Sequence, residues 1–222
     1  MLYVSSVLPF EDAERYRLLY GMASPARREK ADSLRMDKDK RLCLGAEALL
    51  RYALHDNHAE YDPKRVKTGP FGKPYLENSP LHFNLSHSGS RVICAVSDAA
   101  VGCDIEAVRP AEIKLAARFF CPEEYRCIAE AEEGEERDGL FCRYWTLKES
   151  FIKADGRGMS LPLNGFRIEI NENVRADRQI GGRDCRFYEY DSIPGFRCAV
   201  CVTGKWTGET LRLVDPGELL CL

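Results

Sequence analysis

The chain has 222 residues, 45% of them hydrophobic and 30% charged, the proportions of a soluble globular protein that buries its core without disulfides. A net charge of −3, from 32 Lys and Arg against 35 Asp and Glu, argues against a general nucleic-acid binder, though it leaves room for a local basic pocket. No run approaches the roughly 18 apolar residues of a membrane span, and residues 1–10 lack the basic and apolar regions of a secretory signal.

Residues 2–7 read as a short opening strand. Residues 11–21 are helical in pattern, with Tyr16, Leu19 and Tyr20 on one side. Ser24-Pro25 gives an N-cap followed by proline at the first helical position, opening a helix that carries Arg27, Arg28, Lys30 and Arg35. In 37–55, Leu42, Ala46, Leu49, Leu50 and Ala53 recur at helical spacing and predict a core helix. Residues 62–72 are turn-rich. Strands are predicted at 82–86 and 91–96, with Ser88-Gly89-Ser90 turning between them, and again at 100–106. Helices follow at 112–120 and 123–131. The charge-dense, glycine-broken stretch 132–138 reads as the least ordered part of the chain. A strong helix covers 140–154, and from 166 on the pattern is mainly strand, at 166–170, 185–190 and 196–202. Helices then strands, twice over, predict an α+β fold of two similar halves joined near 99–106.

Most of the ten cysteines sit in apolar runs such as 92–96 and 198–202, where free cysteine acts as a small hydrophobe. The expectation is a reduced, cytoplasmic protein. Cys198 and Cys201 lie in a strand-like run without a second pair, so a zinc or redox role is not expected.

Three segments carry candidate chemistry. In Gly102-Cys103-Asp104-Ile105-Glu106 the two acids lie two apart, and on a strand they project from one face. Paired carboxylates repel and favour a cation between them, and hard oxygen donors in this number suit Mg²⁺. A solvated strand end carrying two acids explains that fragment equally well. In Tyr144-Trp145-Thr146-Leu147-Lys148-Glu149-Ser150-Phe151-Ile152-Lys153-Ala154, the residues Tyr144, Leu147, Phe151 and Ala154 form an apolar stripe, while Trp145, Glu149 and Lys153 form a second line. An exposed Glu–Lys pair one turn apart is common. Between aromatics, and before the glycine-rich exit Asp155-Gly156-Arg157-Gly158, these charges need partners, which a metal and a pyrophosphate would supply. In Phe83-Asn84-Leu85-Ser86-His87-Ser88-Gly89, the polar groups can bind a phosphate or form an ordinary hairpin. Ser86 and His87 point to opposite faces of a strand, against a serine nucleophile with a histidine base. Arg27 and Lys30 share a helical face, and Gly72-Lys73-Pro74 sets a lysine in a rigid turn; taken singly, each also fits a solvated surface.

As an ordered set these segments resemble the Sfp-type (surfactin-type) 4′-phosphopantetheinyl transferases. The matching pieces are Gly72-Lys73-Pro74-Tyr75, 83–89, 101–106 and 145–153, with 24–30 and 156–163 similar as well, so the likeness spans nearly the whole chain. The resemblance implies a pseudo-dimer of two α+β subdomains with the active site in the cleft between them. Residues 1–103 would supply the nucleotide contacts, and 104–222 the metal-binding acids and the 145–153 helix. It implies coenzyme A as substrate and an apo carrier protein (acyl, peptidyl or aryl) as partner, with no nucleic acid, no membrane and a monomeric state. Asp104, Glu106 and Glu149 would hold Mg²⁺, with Mn²⁺ as a substitute. Lys153 would contact the phosphates and assist the leaving group. Ser86 and His87 would bind phosphate at the nucleotide end, and Arg27, Lys30 and Lys73 would surround the 3′-phosphate and adenine. Arg41, Asp104 and Lys148 complete the expected coenzyme A contacts. The carrier serine would attack the β-phosphate, with Glu149, or Glu106 as second choice, taking its proton. Arg118, Phe119 and Phe120 are candidates for the carrier-docking surface, or the two phenylalanines are core. A Mg²⁺-dependent hydrolase of nucleotide pyrophosphates and a non-catalytic coenzyme A-binding module are the competing readings.

Overall fold

The first half of the chain runs through β1 (Leu2–Ser6), α1 (Ala13–Met22), α2 (Pro25–Ser33) and α3 (Asp37–Asp56). The ribbon β2 (Val66–Thr68) and β3 (Pro74–Leu76) follows, then the hairpin β4 (His82–Ser88) and β5 (Arg91–Ser97). The second half repeats that order with β6 (Val101–Ala107), α4 (Ile113–Phe119), α5 (Pro122–Glu130), α6 (Glu135–Asp155), the ribbon β7 (Ile168–Ile170) and β8 (Val174–Ala176), and the hairpin β9 (Arg186–Glu189) and β10 (Phe196–Val202). The computed structural model describes residues 1–221. Pairing repeats too. β5 is antiparallel to both β1 and β4, as β10 is to both β6 and β9. The architecture is α+β, as the element order predicted.

Local chemistry explains the main elements. The Ser24 hydroxyl accepts from the Arg27 amide and Pro25 fills the first turn of α2, the cap geometry its sequence announced. Long helix α3 turns Leu42, Ala46, Leu49, Leu50 and Ala53 into the first core against Tyr3, Val92, Cys94 and Val96 of the sheet. Helix α6 does the same in the second core with Leu147, Phe151 and Ala154. It stops at Gly156, whose φ of 83° provides the left-handed C-cap. A third cluster, with Leu2, Val4 and Ile93 from one sheet and Val101, Cys103, Ile105 and Val200 from the other, joins the halves.

Strand β6 runs from Val101 to Ala107, so a division between 103 and 104 cuts through it. The tail also returns to the first half: β11 (Arg212–Leu213) lies parallel to β1, and Val214 and Leu219 enter the first core. Helix α6 starts at Glu135, inside the stretch expected to be the least ordered part of the chain. Its first turn carries Glu135, Glu136 and Asp138, favourable at the positive end of a helix, and Arg137 bonds back to the Ala129 and Ala131 carbonyls. Among the described residues no helix is long and apolar enough to cross a membrane.

Candidate active site

The site forms where β4 meets β6. These strands belong to different sheets, and side chains bridge them. Asn84, Ser86 and Ser88 alternate along β4 and so share a face. Asn84 Oδ1 accepts from the Cys103 amide at 2.8 Å. Ser86 Oγ donates to Asp104 Oδ1 at 2.8 Å. Ser88 Oγ donates to Glu106 Oε2 at 2.8 Å and accepts from the Ala107 amide at 3.1 Å. On β6, Asp104 and Glu106 project together while Cys103 and Ile105 are buried on the other side.

Helix α6 lies directly on β6. A Cβ on Gly102 would stand 2.1 Å from the Ser150 carbonyl oxygen and 2.3 Å from the Ala154 nitrogen, so only glycine permits this approach. The contact brings the helix face bearing Trp145, Glu149 and Lys153 over the two acids. Lys153 Nζ donates to Asp104 Oδ1 at 2.6 Å and to Ser86 Oγ at 3.0 Å. Ser86, His87, Asp104, Glu106, Glu149 and Lys153 line a recess of about 370 Å³. A larger, more apolar cavity of about 600 Å³ shares Leu85, Trp145, Glu149 and Lys153 with it and extends past Phe71, Lys73, Phe119, Ile152 and Leu161.

The charges in the recess act on one another. Burial raises the Glu149 and Glu106 carboxyls above their usual range, and the charge of Asp104 raises both further. Burial works against the Lys153 ammonium, but the charge and hydrogen bond of Asp104 outweigh it and its pKa is raised. His87 is lowered by burial and by the neighbouring charge of Lys153. Asp104 is only 3% exposed. Its Oδ1 takes two donors, yet its buried Oδ2 has no hydrogen-bond partner, the kind of acceptor that calls for a cation or a donor from outside the chain.

Among the described residues no group of three or more His, Cys, Asp or Glu is gathered to hold a metal ion. The donor set nevertheless fits Mg²⁺ by type. That ion commonly takes one or two carboxylates and fills its shell with water and substrate phosphate oxygens, without an all-protein cage. The unpartnered Asp104 Oδ2, with Glu106 and Glu149 beside it in the recess, offers that kind of oxygen site.

The other residues singled out from the sequence fall in different places. Arg27 Nε bonds Glu47 Oε2 at 3.2 Å, and the buried Glu47 also holds the Ser24 amide and hydroxyl. Lys30 is exposed on α2, and its charge is felt at His87. Arg41 pairs with Glu11 at 3.0 Å, its Nε buried without a partner. Lys73 donates to two backbone carbonyls, those of Val101 and Ala154, and burial lowers its pKa to about 8. Lys148 does not face the cleft, contrary to the expectation of a coenzyme A contact. It is 0% exposed and pairs with Glu124 at 2.8 Å, also donating to the Leu163 and Phe166 carbonyls. One residue is about 100° of helical turn, enough to send Lys148 into the core while Glu149 reaches the recess. Of the docking candidates, Phe120 is buried in the second core, Phe119 lines the larger cavity and Arg118 is exposed, stacked over the Phe119 ring.

Sequence reasoning assigned no bridging role to Asn84 and Ser88; their alternation with Ser86 was the available signal. It also missed Phe71, Ile152 and Leu161 as cavity walls. Nothing in a single sequence marks these apolar residues as lining a space instead of filling one.

Residues 100–201, which hold β6 through most of β10 and hence Asp104, Glu106, Glu149 and Lys153, match the family model described as the 4′-phosphopantetheinyl transferase superfamily. The 4′-phosphopantetheinyl transferase Sfp of Bacillus subtilis is 32% identical over 99% of this chain and 98% of its own length. The 4′-phosphopantetheinyl transferase psf-1 of Bacillus pumilus is 35% identical over 87% of this chain and 84% of its own. Among solved structures, the holo-acyl-carrier-protein synthase AcpS of Thermotoga maritima aligns with 49% of this chain and 64% of its own at 20% identity and a TM-score of 0.40, too slight a likeness to carry an argument. Identity at this level along essentially the full length of both chains leaves one conclusion: this chain belongs to the 4′-phosphopantetheinyl transferase superfamily.

Proposed function

We propose that the chain transfers the phosphopantetheine arm of coenzyme A to a serine hydroxyl of an apo carrier protein and releases adenosine 3′,5′-bisphosphate. The observation that carries this reading is the coupled cluster of Lys153, Asp104 and Ser86, facing Glu106 and Glu149 across one recess at the join of the two sheets.

The serine oxygen forms a bond to the β-phosphorus of coenzyme A, and the bond from that phosphorus to the bridging oxygen breaks. Glu149 takes the serine proton, with Glu106 as the alternative acceptor; a raised carboxyl is a better base near neutral pH than an ordinary one. Lys153, which donates to Ser86 and Asp104, would donate to a phosphate oxygen and offset charge on the departing bisphosphate. His87 and Lys30 add donors and positive charge at the nucleotide side. Asp104, Glu106 and Glu149 would hold Mg²⁺, or Mn²⁺ on the same oxygen donors, and the ion would supply charge neutralisation at the pyrophosphate. Positioning and charge account for most of the acceleration in phosphoryl transfer.

The repeated element order supports reading the chain as two subdomains, with the cleft between them as the substrate site. Exposed Arg118 and neighbouring Phe119, at the edge of the larger cavity, are our candidates for carrier docking. A monomer in the cytoplasm suits two fused halves and ten free thiols. The decisive experiment incubates the protein with coenzyme A, Mg²⁺ and several apo carriers and weighs each carrier intact. A gain of one phosphopantetheine unit is expected. Release of adenosine 3′,5′-bisphosphate without a carrier, and no carrier gaining mass, would overturn the proposal in favour of a hydrolase.

A further inference from the structure

We propose that Lys73 is a positioning residue that ties the two walls of the cleft together, and that it does not ligate the nucleotide phosphate. Its ammonium donates to the Val101 carbonyl at 2.9 Å and to the Ala154 carbonyl at 3.3 Å. Val101 opens β6, the strand that carries Asp104 and Glu106. Ala154 follows Lys153 in the last turn of α6. One side chain from the first half thus holds the strand bearing the acids and the helix end bearing the catalytic lysine.

The surroundings are shaped for this contact. The turn between β2 and β3 is closed by the Gly69 amide donating to the Lys73 carbonyl at 2.9 Å and the Gly72 amide to the Gly69 carbonyl at 3.0 Å. It lies flat on the exit of α6. A Cβ at Gly156 would stand 3.3 Å from the Lys73 Cδ, and one at Gly158 would stand 3.4 Å from the Phe71 carbonyl oxygen. The Asp155 carboxylate adds a favourable charge nearby. The final carbonyls of a helix lack intrahelical donors, and a cation there satisfies them and suits the negative end of the dipole. Two of the three donors of this ammonium are already committed to backbone. With the Lys153–Asp104 pair on the cleft side and Lys73 at the helix end, β6 and α6 are fastened at two points, so slackening one shifts the other.

The activity arm of the test rests on the transferase reading above; the structural arm does not. Lys73→Met keeps length and packing and removes the donors. Amide hydrogen exchange is expected to speed up at the end of α6 and in the 69–72 turn. Turnover with coenzyme A and with 3′-dephospho-coenzyme A should fall by a common factor of roughly tenfold or more, as a displaced catalytic group demands, so the preference between the two donors survives. Unchanged exchange overturns the proposal, and so does a preference for coenzyme A that collapses in the variant, since that is the signature of a lost 3′-phosphate ligand. If Lys73→Met does not fold, Lys73→Arg takes both measurements, and exchange and donor preference near wild type are then expected. A wild-type chain that loads no carrier counts against the transferase reading, and exchange alone then decides the role of Lys73.

Discussion

Replacing Gly102 by alanine tests the contact on which the whole site rests. The added methyl would meet three backbone atoms: the Ser150 oxygen at 2.1 Å, and the Ala154 nitrogen at 2.3 Å with the Lys153 carbonyl carbon bonded to it at 2.8 Å. Ordinary contact begins at 3.4 Å, so α6 must move off β6 by roughly 1.3 Å. Overpacking a core costs about 1–3 kcal/mol when side chains can adjust. Here the obstacles are backbone atoms, and we expect about 3 kcal/mol or more, well above the ~0.4–1 kcal/mol that Gly→Ala gains by restricting the unfolded chain. The same displacement opens the 2.6 Å Lys153–Asp104 contact, and a misplacement of about 1 Å in a catalytic group costs on the order of a hundredfold in rate. Urea unfolding and carrier loading measure both effects. Gly21→Ala is the control, because nothing lies within 4 Å of its added Cβ in α1, and it should stabilise by roughly 0.5–1 kcal/mol. Gly102→Ala with wild-type stability and wild-type loading would refute the close-approach argument.

Three further outcomes are expected. Glu149→Gln should cut carrier loading by on the order of 10²–10⁴-fold while stability in urea stays level or rises, because the variant removes a buried charge repelled by Asp104; full loading would remove Glu149 from the mechanism. Lys148→Met leaves the 1%-exposed Glu124 without its cation and should cost about 3–5 kcal/mol in denaturant unfolding, and a cost below 1 kcal/mol would show the pair to be dispensable. For Lys73 the sign follows from its lowered pKa. The unfolded chain binds the extra proton between pH 8 and 10.5, so the burial cost is fully present below pH 8 and disappears as pH rises through that window. Wild-type stability relative to Lys73→Met should therefore rise by about 2–3 kcal/mol across it, with Asp155, His82, Cys103 and Cys201 as the neighbouring groups to control for. A flat difference would show that Lys73 is not buried as described.

Much of the site was legible because its signals are local and periodic. A period of two put Asp104 and Glu106 on one face of β6, and a period of near four put Trp145, Glu149 and Lys153 on one line of α6; both lines meet in the recess. The Ser24-Pro25 start of α2 was equally readable. What failed was whatever depends on distant partners. Lys148 and Glu149 are neighbours in sequence, and only tertiary packing distinguishes a lysine bound to Glu124 from one facing substrate. The acid-rich 132–138 stretch carries the composition of disorder, yet its acids suit a helix N-terminus once Arg137 anchors it to α5 and the residue beyond. The three-residue strands β2, β3 and β8 are too short for alternation to register against the turn residues around them.

The bridging of β4 to β6 by side chains bears on the behaviour of the protein at high concentration. Where two sheets abut without sharing a ladder, each presents bare amides and carbonyls, an invitation to a strand from another molecule. Here the Cys103 amide is occupied by Asn84 and the Ala107 amide by Ser88. The polar groups that shape the cleft floor therefore also guard this margin against intruding chains, and trimming them to alanine would be felt as stickiness as well as lost turnover.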